Sequence, residues 1–204
     1  MKRHLPLPLS VLLLMLALSQ ASAKTARVDQ SAPDFTLTDV NGKQVSLSDF
    51  RGKYVVLEWV NYDCPFVRKH YGSGNMQKLQ KEYTAKGVVW LSICSSAPGK
   101  QGFFETGELK TRMEKVDASP TDYLVDASGE VGRTYDAKTT PHMFIINPEG
   151  TLIYAGGIDD IASTDQDDIA KATNYVRTTL DAAMAGKPVT TKGSHPYGCS
   201  VKYK

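Results

Sequence analysis

The sequence predicts an α/β protein with a mixed central β-sheet flanked by helices and an N-terminal β-hairpin. Three observations carry that expectation. The apolar runs Tyr54 to Val60 and Val88 to Cys94 have the length and valine content of strands buried on both faces. Stretches with helical spacing lie between and after them, such as Met76, Leu79 and Tyr83, then Leu109, Met113 and Val116. A second hairpin and a closing helix end the pattern, so parallel and antiparallel strands must share one sheet.

The chain has 204 residues. Residues 1–23 read as an export signal: Lys2, Arg3 and His4, an apolar core from Leu5 to Leu18, and the small-residue cleavage site Ala21-Ser22-Ala23. Two of the 24 Lys+Arg and none of the 22 Asp+Glu lie in that leader, so the part that follows is neutral. No basic stripe stands out, which argues against a nucleic-acid partner. No second long apolar run follows, so no membrane contact is expected once the leader is cleaved, and the protein is expected to be periplasmic or secreted.

Residues 24–188 form the expected domain, with 189–204 as a polar tail. Phe35 to Leu37 and Gln44 to Leu47 flank the turn Asn41-Gly42 as a hairpin. Ser48 to Gly52 is a loop or a single helical turn. The helix after Pro65 is expected to break near Gly72-Ser73-Gly74 and to resume up to Gly87. Asp122 to Asp126 is a short strand and Ser128 to Tyr135 a short helix. Met143 to Ile146 and Thr151 to Tyr154 pair around Asn147-Pro148-Glu149-Gly150. Ile169, Ala172, Val176, Leu180 and Ala183 share one face of the closing helix, which stops at Gly186.

Cysteine carries the chemistry. The three cysteines, Cys64, Cys94 and Cys199, include no C-x-x-C pair and no zinc spacing, so neither metal nor cofactor is expected. Cys64 stands between the end of a buried strand and Pro65, a residue favoured at the first helical position. There its sulfur meets unpaired N–H groups and the positive end of the helix dipole, which favour the thiolate that attacks disulfides and peroxides. Cys64 is the expected redox nucleophile.

Four pieces of the chain together resemble the thioredoxin superfamily, in its redoxin branch of alkyl hydroperoxide reductase and thiol-specific antioxidant proteins. They are Ala32-Pro33-Asp34-Phe35 with Leu47-Ser48-Asp49-Phe50-Arg51-Gly52-Lys53; Val55 to Trp59 leading to Cys64; Asp126 with Gly129 and Tyr135; and Thr139-Thr140-Pro141-His142-Met143-Phe144-Ile145-Ile146 with Gly150. The resemblance implies a thioredoxin-like fold over about residues 30–186. It also implies a cis Pro141, with Thr140 facing the active sulfur and pairing with substrate backbone. The chain departs from the family's patterns at particular positions. Val67 stands where a dithiol thioredoxin has its second cysteine, and Leu57 and Asn61 stand where a peroxiredoxin has a proline and a Thr or Ser.

Further candidates surround Cys64. Glu58, six residues before it, matches the offset of the buried thioredoxin carboxylate and would shuttle the thiol proton, unless its head reaches solvent past the sheet end. Arg68, one turn after Cys64, would stabilise a thiolate, or else be solvated beside Lys69 and His70. His142 is a candidate base. Cys94 either approaches Cys64 or serves packing. Cys199, on a tail free to reach back, is the candidate resolving thiol, or half of a static disulfide to Cys64.

The main expectation is an exported thiol-dependent peroxidase with antioxidant function, in which Cys64 reduces a peroxide, Cys199 resolves the product and a thioredoxin-like thiol donor restores both. The alternatives are a thiol–disulfide oxidoreductase acting on exported protein partners and a non-catalytic thioredoxin-like binding domain.

Overall fold

The computed structural model describes residues 25–204, and the expected export signal lies outside them. Among the described residues are nine strands and five helices: β1 (Thr36–Asp39), β2 (Gln44–Ser46), β3 (Val55–Trp59), α1 (Pro65–Gly72), α2 (Asn75–Ala85), β4 (Val89–Cys94), α3 (Thr106–Lys115), β5 (Asp122–Val125), α4 (Glu130–Thr134), β6 (Thr139–Thr140), β7 (His142–Ile146), β8 (Leu152–Gly156), α5 (Tyr175–Met184) and β9 (Cys199–Ser200). A short 3₁₀ turn, Leu47–Phe50, follows β2.

The main sheet has seven strands in the order β2-β1-β5-β4-β3-β7-β8. β3, β4 and β5 run parallel, whereas β7 and β8 on one side and β1 and β2 on the other run antiparallel. The expected mixed sheet is present, because parallel strands need helical crossovers while the hairpins at the margins do not.

Every residue of β3 and β4 is buried. One face of the sheet packs Val56, Trp90, Met143 and Ile145 against Val67 and Tyr71 of α1, Leu79 and Tyr83 of α2, and Val176 and Leu180 of α5. The opposite face packs Leu57, Trp59, Leu91 and Phe144 against Phe35, Leu47 and Tyr135. Burial on both faces explains why β3 shows no polar alternation in the sequence. It also sets Glu58 on the face shared by Val56, beneath α1 and α2.

One expected element is corrected. The closing helix starts at Tyr175 rather than near Ile169, because the Asn174 side chain accepts from the Arg177 amide and caps it. Ile169 and Ala172 lie instead in a turn segment that follows a 3₁₀ turn, Gln166–Asp168.

The tail is not free. Ser194 Oγ lies 2.7 Å from Tyr154 Oη and accepts from the Gly157 amide at 2.9 Å. The Val201 amide donates to Lys138 O at 3.0 Å and the Ala97 amide to Lys202 O at 2.8 Å. Tyr203 Oη donates to Ala137 O at 2.7 Å. Between these anchors β9 pairs antiparallel with β6, opposing Cys199 to Thr140 and Ser200 to Thr139. The tail is polar in composition but is held by backbone pairing and a few tyrosines, which leave no periodic signal.

Candidate functional site

The site forms where β3 ends. Cys64 is the N-cap of α1, with Pro65 in the first turn, and its carbonyl accepts from the Arg68 amide at 2.9 Å. Asn61 stabilises the connecting turn by accepting from the Asp63 amide at 3.0 Å. This fixes the Cys64 sulfur at the head of the helix, fully shielded from solvent at 0% exposure.

Two chain segments close over the sulfur. The Thr140–Pro141 peptide bond is cis, as the resemblance implies. The Cys64 thiol donates to Thr140 O at 3.0 Å. From the other side comes β9, whose Cys199 amide donates to Cys64 Sγ at 3.4 Å. Both cysteines are free thiols here, as is Cys94. The backbone edge of Thr139–Thr140, expected to receive a partner's extended chain, is therefore paired with the chain's own β9.

Electrostatics divide the two thiols. Burial opposes ionisation of Cys64, but hydrogen bonding from the Cys199 side chain and from the Val67 and Cys199 amides outweighs it and holds this thiol below its ordinary value of 9.0. The Thr140 hydroxyl is buried and has no hydrogen-bond partner among the described residues. Burial and the hydrogen bond to Cys64 push Cys199 up to about 11, opposed by Lys202 and Arg68. Of the pair, Cys64 therefore loses its proton more readily and Cys199 holds its own more tightly.

The other candidates fall as follows. Glu58 is buried at 0% exposure. It accepts from Trp90 Nε1 at 2.8 Å, Ser92 Oγ at 3.0 Å, Gln80 Nε2 at 3.2 Å and Tyr71 Oη at 3.0 Å. Burial raises its pKa against the pull of those four donors. The solvent-reaching alternative for Glu58 is excluded, and Cys64 is not among its hydrogen-bond partners.

Arg68 is exposed, and its charge bears on Cys199. Its neighbours Lys69 and His70 are buried. His142 is buried against Phe144 on the far face of the sheet, accepts from the Lys138 amide at 3.2 Å, and is lowered to about 4 by burial. Cys94 ends β4 as expected, with its thiol donating to Gly102 O at 3.3 Å and burial raising its pKa.

Sequence reasoning missed Tyr197 and Gly198, which precede Cys199. Tyr197 is buried, and Gly198 has φ 141° with its α-carbon so close to Thr140 that a Cβ would collide with the Thr140 carbonyl. A glycine directly before a cysteine in an otherwise polar tail is the signal that marks this close approach.

Comparison with known proteins agrees with this architecture. The AhpC/TSA family profile matches residues 28–155. The thiol-disulfide oxidoreductase ResA of Bacillus subtilis (strain 168) is 29% identical over 125 residues, covering 60% of this chain and 63% of its own length. The chain thus spans less than two thirds of that relative. The crystal structure of an uncharacterized conserved protein from Geobacillus kaustophilus superposes with a TM-score of 0.74 at 29% identity, over 87% of this chain and 93% of that one. A putative thiol:disulfide interchange protein DsbE from Chlorobium tepidum gives a TM-score of 0.52 at 27% identity, over 64% and 85%. Fold class and superfamily stand as the sequence predicts. Cys199 and the strand that carries it lie beyond the matched family segment.

Proposed function

The chain belongs to the AhpC/TSA family, and from that premise we propose that it is an exported thiol–disulfide oxidoreductase whose redox pair is Cys64 and Cys199. The observation that carries the reading is the contact of the Cys199 amide with Cys64 Sγ, combined with opposite displacement of the two thiols' proton affinities. In the reaction, the Cys64 thiolate attacks a disulfide of a partner protein and releases one partner thiol, leaving a mixed disulfide. Cys199 then loses its proton and attacks Cys64 Sγ, which releases the second partner thiol. The partner has gained two electrons and two protons, and the enzyme holds a Cys64–Cys199 disulfide that a dithiol donor reduces. The reverse sequence oxidises a partner dithiol.

This reading, the alternative in the sequence analysis, is better supported than peroxide reduction. Asn61, at the position where a peroxidase keeps a Thr or Ser, is committed to the Asp63 amide, and its side chain lies against Gly102. Leu57 packs on the opposite face of the sheet from Cys64.

The test is turnover of insulin disulfides by the purified protein with a dithiol donor. Cys64→Ser is expected to abolish it. Cys199→Ser is expected to stop after one step, with a mixed disulfide trapped on Cys64. Oxidation of Cys64 by hydrogen peroxide faster than by any protein disulfide would restore the peroxidase reading.

A further inference from the structure

Behind the cysteine pair lies a buried polar cluster that the redox chemistry does not use. Lys69 and His70 come from α1, Asn75 from the head of α2, Asp159 from the segment after β8, and Tyr197 from the tail. Lys69, His70 and Asp159 are 1%, 0% and 3% exposed. The phenol of Tyr197 donates a short hydrogen bond to Asp159 Oδ1. That orients the rest: His70 Nε2–H donates to Tyr197 Oη at 3.2 Å, and Asn75 Nδ2 donates to His70 Nδ1 at 2.9 Å. Lys69 Nζ donates to Ile161 O at 3.0 Å and lies 3.9 Å from Asp159 Oδ2. Asp159 also accepts from the Ile161 amide at 3.1 Å. Burial holds His70 down to about 3, so it sits in the cluster as a neutral imidazole.

Such a cluster is a poor way to gain stability, because well-packed apolar residues of the same volume often do as well or better than buried charges. What it adds is direction. An apolar tail residue would slide within its pocket, whereas a phenol held by Asp159 and His70 has one allowed position. The next residue, Gly198, passes against the Thr140 carbonyl where a side chain has no room, and the one after it is Cys199. The Tyr197 ring also meets Phe66, two residues beyond Cys64, edge-on with centroids 5.8 Å apart. Anchor, passage and thiol thus follow one another along a single extended segment.

We propose that Tyr197, held by Asp159 and His70, is the positioning residue that sets Cys199 against Cys64 and so determines how readily the pair closes. The proposal rests on the reading of Cys64 and Cys199 as the redox pair. Closure converts two thiols to one disulfide with release of two protons and two electrons. The electrons pass to an external disulfide, which becomes two thiols.

The experiment equilibrates the full chain with oxidised and reduced glutathione. It measures the effective concentration of Cys199 toward Cys64 in the unaltered protein, in Tyr197→Phe and in Asp159→Asn. Tyr197→Phe keeps the ring and its packing, and Asp159→Asn keeps an acceptor, so the two test the anchor independently. Each is expected to lower the effective concentration by about tenfold, the worth of one hydrogen bond to a charged group. In a Cys199→Ala background, alkylation of Cys64 is expected to be the same with Tyr197 or Phe, since the anchor acts only through Cys199. Glu82→Ala, which breaks the distant pair with Arg177, serves as a destabilised control whose effective concentration should not move. An effective concentration unchanged in both anchor variants overturns the proposal. Absence of a Cys64–Cys199 disulfide in the unaltered protein overturns the functional reading and the proposal with it.

Discussion

Cys64 sits in an environment that pulls its proton affinity in two directions. Burial favours the neutral thiol, while the Cys199 thiol and the amides of Val67 and Cys199 favour the thiolate and prevail. The reaction rate of Cys64 with a disulfide is therefore expected to rise with pH through a midpoint below 9.0 and then level off, because only the thiolate attacks. Removing the donor in Cys199→Ala should move that midpoint up. Thiolate absorbance during a pH titration, in a Cys94→Ala background, checks both; a midpoint that stays put without Cys199 would remove that thiol from the explanation. Glu58 presents the opposite balance, since burial raises its pKa above 4.5. A carboxyl raised in the folded state contributes stability that is full below 4.5 and lost as pH rises through its folded value. Glu58→Gln should remove this pH dependence. It should also cost about 1–3 kcal/mol at low pH, because an amide N–H then faces a ring of donors. Urea unfolding across pH measures both effects.

At the scale of elements, the two features that position the site are a helix start and a strand pairing, and they differ in how far the sequence reveals them. The start of α1 was legible because Pro65 is a local signal that follows directly on a buried strand. The break between α1 and α2 was legible for a similar reason, at Gly72-Ser73-Gly74. The start of α5 was not. Ile169 and Ala172 continue the helical spacing of Val176, but the Asn174 cap ends the regular segment there. Replacing Asn174 by Ala should therefore lower stability by about 1 kcal/mol without touching redox activity, as thermal unfolding and insulin turnover would show. Strand β9 was illegible because its partners lie far along the chain: Thr139–Thr140 for its backbone, and Asp159 for the neighbouring phenol. Nothing periodic in residues 189–204 reports such contacts. Gly198 is the local trace of that pairing. Gly198→Ala should cost about 1–3 kcal/mol, since it forces a side chain into a positive-φ conformation against the Thr140 carbonyl. It should slow closure of the cysteine pair in proportion.

Across the whole molecule, the tail ties the last residues of the chain to the first helix of the domain, so oxidation would cross-link positions 64 and 199. The family resemblance ends before this tail, which is why it predicted the sheet and the cis Pro141 but not the strand laid across them. In the chain-entropy view, a disulfide closing so long a loop restricts the unfolded chain enough to add about 4–5 kcal/mol, less any strain in the folded state. Strain is expected to be small, because β9 already holds Cys199 beside Cys64 while both are reduced. The oxidised protein should accordingly unfold at a clearly higher urea concentration than the reduced protein. The gap should vanish in Cys199→Ala and persist in Cys94→Ala, since Cys94 is buried at the end of β4 with its thiol on Gly102. Equal midpoints for oxidised and reduced protein would mean that the pair stays open or that closure strains the fold. Peptide mapping of the oxidised sample separates those two outcomes: the first shows no Cys64–Cys199 link, and the second shows the link without the added stability.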